Sequence, residues 1–222
     1  MKVIAINGSP RKDWNTATML RHALQGSADR GAFTELIHLY ELDYRGCSSC
    51  FACKTRGGPS YGRCAQQDDL APVLRRIEEA GALILGSPIY FGQVTGEMRS
   101  FLERLLFPYL RYSREKRSLF PRKMDTAWIY TMNCPEADLK AVGYDRLFAE
   151  NERLLKMIFG GSFFTLTSHE TLQFADYGKV DADMFDPAAR KERHERIFPR
   201  ECERAYELGA RLAQNISRES PS

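Results

Sequence analysis

Short apolar runs alternate with amphipathic stretches along most of the chain. Lys2–Ile6 has the continuous apolar character of a strand buried on both faces. From Thr16 to Leu24 apolar residues recur every three or four positions, which indicates a helix with one face on a sheet. The same alternation predicts strands over 33–40, 82–85, 126–132 and 162–167, and helices that begin near 68 and 95 and span 145–158 and 199–216.

Five strands that alternate with five helices predict a doubly wound, five-stranded parallel sheet with helices on both faces, in one domain over 1–222. Such sheets bind ligands beyond the carboxyl ends of their strands. The connections 107–123 and 168–198 are unusually long, which favours a role in function or at an interface. Phe198 precedes Pro199 and is therefore expected to lie outside the last helix.

The loop after the first strand, NGSPRKDWNT from Asn7 to Thr16, leads directly into a helix. A helix amino terminus attracts phosphate through its free N–H groups and its dipole. Ser9, Asn15 and Thr16 add short polar side chains, and Arg11 adds a charge that can form a bidentate contact. Dinucleotide and Walker glycine patterns are missing, so a terminal phosphomonoester, as in FMN, suits the loop best. The alternative is an ordinary turn in which Ser9 and Asn15 only cap the helix.

The segment GSPIYFG, residues 86–92, follows the third strand and is expected to form a turn. Pro88 fixes the backbone and leaves the amides of Ile89, Tyr90 and Phe91 free to face the crevice. Flavin chemistry needs backbone N–H groups near the part of the ring where reduction places negative charge. Tyr90 and Phe91 would offer flat faces to the ring; the alternative is that they are core aromatics.

The end of the predicted fourth strand, residues 131–135, must line the same crevice because the strands are parallel. We expect Asn133 of this segment to contact the cofactor. Cys134 is interpreted as a packed thiol. None of the four histidines accompanies a nucleophile motif, so no catalytic side chain is predicted and the flavin would carry the chemistry.

The two motifs, Asn-Gly-Ser-Pro-Arg-(x)3-Asn-Thr and Gly-Ser-Pro-Ile-Tyr-Phe-Gly, resemble those of flavodoxin-like NAD(P)H-dependent FMN reductases and the related iron–sulfur flavoproteins. The resemblance covers roughly the first 110 residues well and the rest more loosely. It implies a flavodoxin-like fold, bound FMN with its ring beside Tyr90, and a homodimer or homotetramer. It also implies NAD(P)H or a ferredoxin-like protein as the electron donor.

Four cysteines share the loop 46–67 that follows the second strand: Cys47, Cys50, Cys53 and Cys64. Three thiols at two-residue separation can wrap one metal centre and a distant fourth can complete it, as in [4Fe–4S] and zinc sites. The gap before Cys64 is longer than in the iron–sulfur flavoproteins and rich in glycine, which would let Cys64 swing away. Metal-free thiols are the third alternative. Lys54, Arg56 and Arg63 would offset the negative charge of a cluster.

Composition narrows the functional classes. Lys plus Arg number 32 and Asp plus Glu number 29, a net charge of +3 that is too mild for a nucleic-acid binder. No apolar stretch is long enough to cross a membrane, and the first apolar run is too short for a signal peptide, so a cytoplasmic protein is expected. The leading hypothesis is an FMN oxidoreductase that reduces a small acceptor. The rivals are an iron–sulfur flavoprotein that moves single electrons and a flavodoxin-type carrier, which the net charge disfavours.

Overall fold

The computed structural model describes residues 1–219. Its strands are β1 Lys2–Asn7, β2 Phe33–His38, β3 Ala82–Tyr90, β4 Gln93–Val94, β5 Met124–Thr131 and β6 Gly160–Ser168. Its helices are α1 Asn15–Ala28, α2 Leu70–Glu79, α3 Gly96–Leu106, α4 Tyr144–Phe159, α5 Pro187–Arg196 and α6 Phe198–Glu219. All five predicted strands and all five predicted helices are confirmed, and β4 and α5 are additional.

The central sheet has five parallel strands in the order β2-β1-β3-β5-β6. In this order the chain reverses its direction across the sheet between β1 and β3, where Asn7 of β1 lies opposite His38 of β2 and Gly86 of β3. Doubly wound sheets of the flavodoxin type have this order and bind their ligand at the reversal. The predicted fold class is confirmed, and the ligand site is expected beside Asn7.

The alternating side chains of β1 divide between two cores, one on each face of the sheet. Val3 and Ala5 pack with α1 and α6, while Ile4 and Ile6 pack with α2, α3 and α4. All four side chains are completely buried. A parallel strand that is covered on both faces must be apolar throughout, which explains the continuous run at the start of the sequence.

The segment 86–92 differs from the predicted turn. β3 continues through Pro88 to Tyr90, and the chain then turns at Phe91 and Gly92 to pair β4 antiparallel with β3. Pro88 is tolerated because it stands near the end of the parallel pairing, opposite Thr131 of β5, where a missing N–H removes little of the ladder.

The connection 168–198 contains α5, which the sequence did not predict. The helical break lies at Ile197, and Phe198 is the first residue of α6, so its predicted place outside the helix is wrong. Pro199 is compatible with a helical Phe198 because it falls in the first turn, where its missing N–H has no intrahelical acceptor to lose. Within residues 1–219, no helix is long and apolar enough to cross a membrane.

Candidate functional site

A cleft with about 520 Å³ of empty space opens beyond the carboxyl ends of β1, β3 and β5. Eight residues predicted from the sequence line it: Ser9, Arg11, Asn15, Thr16, Pro88, Ile89, Tyr90 and Asn133. The structure therefore brings together the phosphate loop, the end of β3 and the segment after β5. Phe91, the ninth predicted residue, stands outside the cleft lining.

The phosphate loop is shaped by the buried side chain of Asn7. Its Oδ1 accepts from the backbone N–H of Ser9 at 3.0 Å, and its Nδ2 donates to the Ser9 carbonyl at 3.2 Å. The same Nδ2 lies 2.9 Å from Nδ1 of His38, and burial, followed by the charges of Arg21 and Lys12, lowers the His38 pKa. A neutral His38 can accept this hydrogen bond. The backbone N–H of Arg11 donates to Ser9 Oγ at 3.1 Å, which leaves the Ser9 hydroxyl proton free for a ligand.

No side chain caps the amino terminus of α1, whose N-cap residue is Trp14. Asn15 instead donates one amide N–H to the carbonyl of Leu172 at 2.9 Å, and the Trp14 indole donates to the same carbonyl at 2.9 Å. Thr16 Oγ1 lies 2.7 Å from Thr131 Oγ1. The alternative in which Ser9 and Asn15 only cap the helix is therefore wrong, because neither caps it. The first turn of α1 keeps free N–H groups for an anion.

Arg11 lies at the rim of the cleft. Its Nη1 donates to the Gln173 carbonyl at 2.5 Å, and the guanidinium carbon lies 5.4 Å from the centre of the Trp14 ring. Residues 171–173 thus return from the long connection after β6 to line the same cleft. The sequence did not identify Trp14, Thr171 or Gln173 as lining residues; the signal was only the length of that connection.

The opposite side of the cleft carries the residues expected to meet a ring. Tyr90 is 44% exposed and Phe91 is fully exposed at 107%, so the alternative that they are core aromatics is wrong. Asn133 Oδ1 is buried and has no hydrogen-bond partner among residues 1–219. An unpaired buried acceptor is unfavourable unless a ligand N–H reaches it.

These donors and acceptors fit FMN. The uncapped end of α1, the hydroxyl groups of Ser9 and Thr16, and the charge of Arg11 match a phosphomonoester. The unpaired Oδ1 of Asn133 matches an N–H donor such as a flavin ring presents. No ionised acid lines the cleft among the described residues, which suits an anionic ligand.

A second cavity gathers the four loop cysteines against the end of α3: Cys47, Cys50, Cys53 and Cys64. The residues between Cys53 and Cys64 form consecutive tight turns, and Gly62 closes them by donating its N–H to the Cys53 carbonyl at 3.0 Å. The glycine-rich gap therefore returns Cys64 to the other three thiols. Cys64 thus lines the same cavity as the other three cysteines, and its role as a metal ligand stays a prediction.

A buried cation beside these thiols, Arg104 of α3, was not predicted from the sequence. Its side chain is completely buried; Nε donates to Cys64 Sγ at 2.9 Å, and Nη1 and Nη2 donate to the Asp68 carboxylate at 2.8 and 3.1 Å. Of the three expected cations, Lys54 also acts on these thiols, since its charge opposes the burial that raises the pKa of Cys53. Arg63 pairs with Glu78 of α2, and the Lys54 ammonium donates to carbonyls at the end of α3.

The cavity supplies sulfur donors and a compensating charge, both of which suit a thiolate-bound cluster. Burial, with smaller contributions from the neighbouring cysteines, raises the pKa of the Cys53 thiol. Across residues 1–219, however, no three His, Cys, Asp or Glu side chains are grouped closely enough to hold a metal ion. The four sulfur donors are therefore chemically suited to a cluster. Their side chains, however, are arranged as separate thiols.

Comparison with known proteins gives matches in sequence and in fold. Residues 1–124, more than half of the chain, match the sequence model of the NADPH-dependent FMN reductase family. An iron–sulfur flavoprotein of Methanocaldococcus jannaschii is 39% identical over 104 residues, which are 47% of this chain and 51% of the relative. An iron–sulfur flavoprotein of Archaeoglobus fulgidus is 38% identical over 109 residues, 49% of this chain and 47% of the relative. The chain thus spans about half the length of the curated relatives it matches.

Two solved structures share the fold over nearly the whole chain. An NAD(P)H:quinone oxidoreductase from Methanothermobacter marburgensis superposes with a TM-score of 0.66 at 16% identity and covers 96% of each chain. An azoreductase from Bacillus anthracis also has a TM-score of 0.66, at 13% identity, and covers 95% of this chain and 99% of its own. At these identities the likeness establishes the flavodoxin-like fold alone.

Proposed function

Because the chain belongs to the NADPH-dependent FMN reductase family, we propose that it is an FMN-dependent oxidoreductase. It takes electrons from NAD(P)H or a ferredoxin-like donor and passes them to a small acceptor such as a quinone, a flavin, a metal ion or a nitro compound. The observation that carries the proposal is the cleft itself, which joins an uncapped helix end, the free hydroxyl proton of Ser9 and an unpaired Asn133 acceptor. The single domain, the homodimer or homotetramer and the cytoplasmic location remain predictions.

In this proposal, the chain binds and orients FMN, which supplies the redox chemistry when bound. Ser9, Arg11 and Thr16 hold the phosphate together with the backbone N–H groups of α1, and Asn15 fixes residue 172 beside them. Pro88, Ile89 and Tyr90 face the ring on the β3 side. Tyr90 is half-exposed, so its ring can also shield a bound flavin from water.

Replacing Arg11 with alanine tests the phosphate site. The loss of a charge-assisted contact, about 1.5 to 3 kcal/mol, should weaken FMN binding by one to two orders of magnitude. Riboflavin lacks the phosphate and should bind the wild type and Arg11→Ala about equally. Quenching of flavin fluorescence during titration of the apoprotein measures both dissociation constants.

Lys12→Ala is the matched control, because Lys12 is the next cation in the loop but pairs with Glu41 and does not line the cleft. It should change FMN affinity by less than about threefold, since exposed ion pairs contribute little. Equal FMN affinity in Arg11→Ala and the wild type would contradict the proposed phosphate site. Stopped-flow reduction of the bound flavin by NADPH and by NADH then separates an enzyme from a carrier without turnover.

A second candidate function, favoured by the cysteine cavity, is an iron–sulfur flavoprotein that shuttles single electrons. Its support is the return of Cys64 to the other three thiols and the buried Arg104 beside them. In this candidate the four cysteines hold a [4Fe–4S] cluster and Arg104 offsets its charge. If the same cavity holds zinc or free thiols instead, the first candidate function stands, and the protein is a thiol-bearing FMN reductase.

Metal analysis of protein purified without oxygen tests the cluster. About four iron and four sulfide per chain are expected, with a broad absorbance shoulder near 400 nm beneath the flavin bands. Cys64→Ser should remove most of the iron without loss of FMN, whereas Cys134→Ser, at a half-buried thiol outside the cavity, should leave both unchanged. If the wild type contains no iron after anaerobic reconstitution, the cluster is excluded. If it contains stoichiometric zinc instead, the cavity is a zinc site.

A further inference from the structure

The buried Asn7 side chain can point its amide in one direction only. Oδ1 accepts from the Ser9 N–H at 3.0 Å and Nδ2 donates to the Ser9 carbonyl at 3.2 Å. Reversing the amide would set donor against donor and acceptor against acceptor. The same Nδ2 lies 2.9 Å from Nδ1 of His38. Because an amide N–H can only donate, Nδ1 of His38 must carry a lone pair.

The imidazole of His38 can accept this hydrogen bond only when it is neutral. A neutral ring with its proton on Nε2 accepts at Nδ1, whereas a protonated ring carries a proton on both nitrogens and opposes the Asn7 amide. Three charged groups face His38: Arg21 of α1, and Lys12 and Asp13 of the phosphate loop. Burial first and the two cations second lower the pKa of His38, while Asp13 opposes them. The neutral form therefore predominates at pH 7.

His38 reaches Asn7 because the two residues end neighbouring strands. They lie opposite each other in the parallel register of β1 and β2, and residues in register point to the same face of a sheet. His38 does not line the cofactor cleft, whereas Ser9, two residues after Asn7, does. A side chain of β2 can therefore act on the phosphate loop without touching the ligand.

We infer that His38 is a positioning residue of the cofactor site: through Asn7 it holds the phosphate loop in its anion-binding conformation, and it does so only while its imidazole is neutral. The inference rests on the proposed function, since the anion is the phosphate of FMN. A loop that loses its anchor spends part of its time in other conformations, and the apparent affinity falls with the fraction that stays competent. FMN affinity thus depends on the protonation of a residue that does not contact FMN.

His38→Leu tests the anchor at pH 8. Leucine offers no acceptor and leaves one Asn7 amide proton unpaired, so the FMN dissociation constant should rise roughly five- to thirtyfold. Riboflavin lacks the phosphate, and its dissociation constant should not change. His38→Asn is the matched control, because its Oδ1 can accept near the position of Nδ1; it should bind FMN within about threefold of the wild type. Quenching of flavin fluorescence measures all of these constants.

The pH profile of FMN binding separates positioning from a loss of packing. Protonation of His38 in the free protein competes with FMN binding, so the wild-type dissociation constant should rise as the pH falls below the His38 pKa. The FMN phosphate also gains a proton near about pH 6, which weakens binding in every variant. His38→Asn shows this second effect alone. The wild-type constant divided by that of His38→Asn should therefore rise roughly three- to tenfold from pH 7.5 to pH 5.

Four results would overturn the inference. Equal FMN affinity of His38→Leu and the wild type would mean that Asn7 does not need this acceptor. An equal loss of FMN and riboflavin affinity in His38→Leu would assign His38 to the fold as a whole. Parallel pH profiles of the wild type and His38→Asn would mean that a protonated His38 leaves the loop in place. Tighter FMN binding by the wild type than by His38→Asn at pH 5 would make the imidazolium a charge partner of the phosphate.

The flavin titrations of the wild type also separate this inference from the proposed function. If the wild type binds neither FMN nor riboflavin, the proposed function fails together with the inference. If it binds FMN and the His38 variants give any of the four results above, the inference alone fails. Circular dichroism of each variant at pH 7.5 and pH 5 confirms that folded protein is compared throughout.

Discussion

Replacing Gly209 with alanine is expected to lower the free energy of unfolding by about 3 kcal/mol. A Cβ at Gly209 in α6 would stand 1.7 Å from the Ala23 carbonyl oxygen in α1, a distance that only movement of the two helices can relieve. Gly26 of α1 makes the reciprocal approach, with a Cβ position 2.0 Å from the Tyr206 carbonyl oxygen in α6. Urea unfolding followed by circular dichroism measures the loss.

Gly96→Ala is the matched control for this prediction. Gly96 begins α3, and a Cβ there would meet no atom within 4 Å. Alanine at that position should leave stability unchanged or raise it by about 0.4 to 1 kcal/mol, because it restricts the unfolded chain. Equal unfolding midpoints for Gly209→Ala and Gly96→Ala would contradict the close crossing of α1 and α6.

The contact between α1 and α6 also bears on the cofactor cleft. The amino end of α1 carries the phosphate loop, and Ser27 near its other end donates to the Gly209 carbonyl at 2.9 Å. If the helices separate, α1 should shift relative to the sheet and its free N–H groups should move with it. Gly209→Ala is therefore expected to weaken FMN binding, although Gly209 does not line the cleft.

The parallel sheet was predictable because local patterns decide it. Runs such as Val3–Ile6 are apolar on both faces, and only a strand covered by two helical layers requires that. α5 was missed because its surface is polar nearly all round: Arg190 is its one buried residue. The available signal was local instead, since Asp186 accepts from the N–H groups of Ala188 and Ala189 and Pro187 occupies the first turn.

The site was predictable only where its residues follow strands in sequence. The phosphate loop and Asn133 come directly after β1 and β5, so strand order alone brings them together. Trp14 and Asn15 both donate to the Leu172 carbonyl, which lies more than 150 residues away in the sequence. No local sequence pattern predicts that contact. Arg104 appeared as one more charged position of α3, because its partners Asp68 and Cys64 lie in a separate loop.

Arg104→Met is expected to lower the free energy of unfolding at pH 7 by about 3 kcal/mol, the lower end for a broken buried ion pair because Asp68 is partly exposed. Methionine fills the space but leaves the Asp68 carboxylate, the Cys64 sulfur and the Arg45 carbonyl without their shared donor. Glu103 also holds the loop, through the Cys47 N–H at 3.1 Å. Urea unfolding at pH 7 measures the effect.

The pH dependence of this loss identifies the ion pair as its cause. The Arg104 guanidinium holds the pKa of Asp68 below its usual range, so the unfolded chain binds a proton at Asp68 at a higher pH than the folded chain. The stabilisation is therefore complete above the unfolded pKa of about 3.9 and is lost as the pH falls below it. The difference in free energy of unfolding between the wild type and Arg104→Met should therefore become smaller from pH 7 to pH 3.

Arg99→Met controls for the loss of a positive charge from α3, because Arg99 is exposed on the same helix. It should change stability by less than about 0.5 kcal/mol at either pH. Arg104→Lys should recover only part of the loss, since an ammonium cannot contact both carboxylate oxygens and the sulfur in the geometry of a guanidinium. If Arg104→Met unfolds at the same urea concentration as Arg99→Met, the buried Arg104 does not hold the cysteine loop against α3.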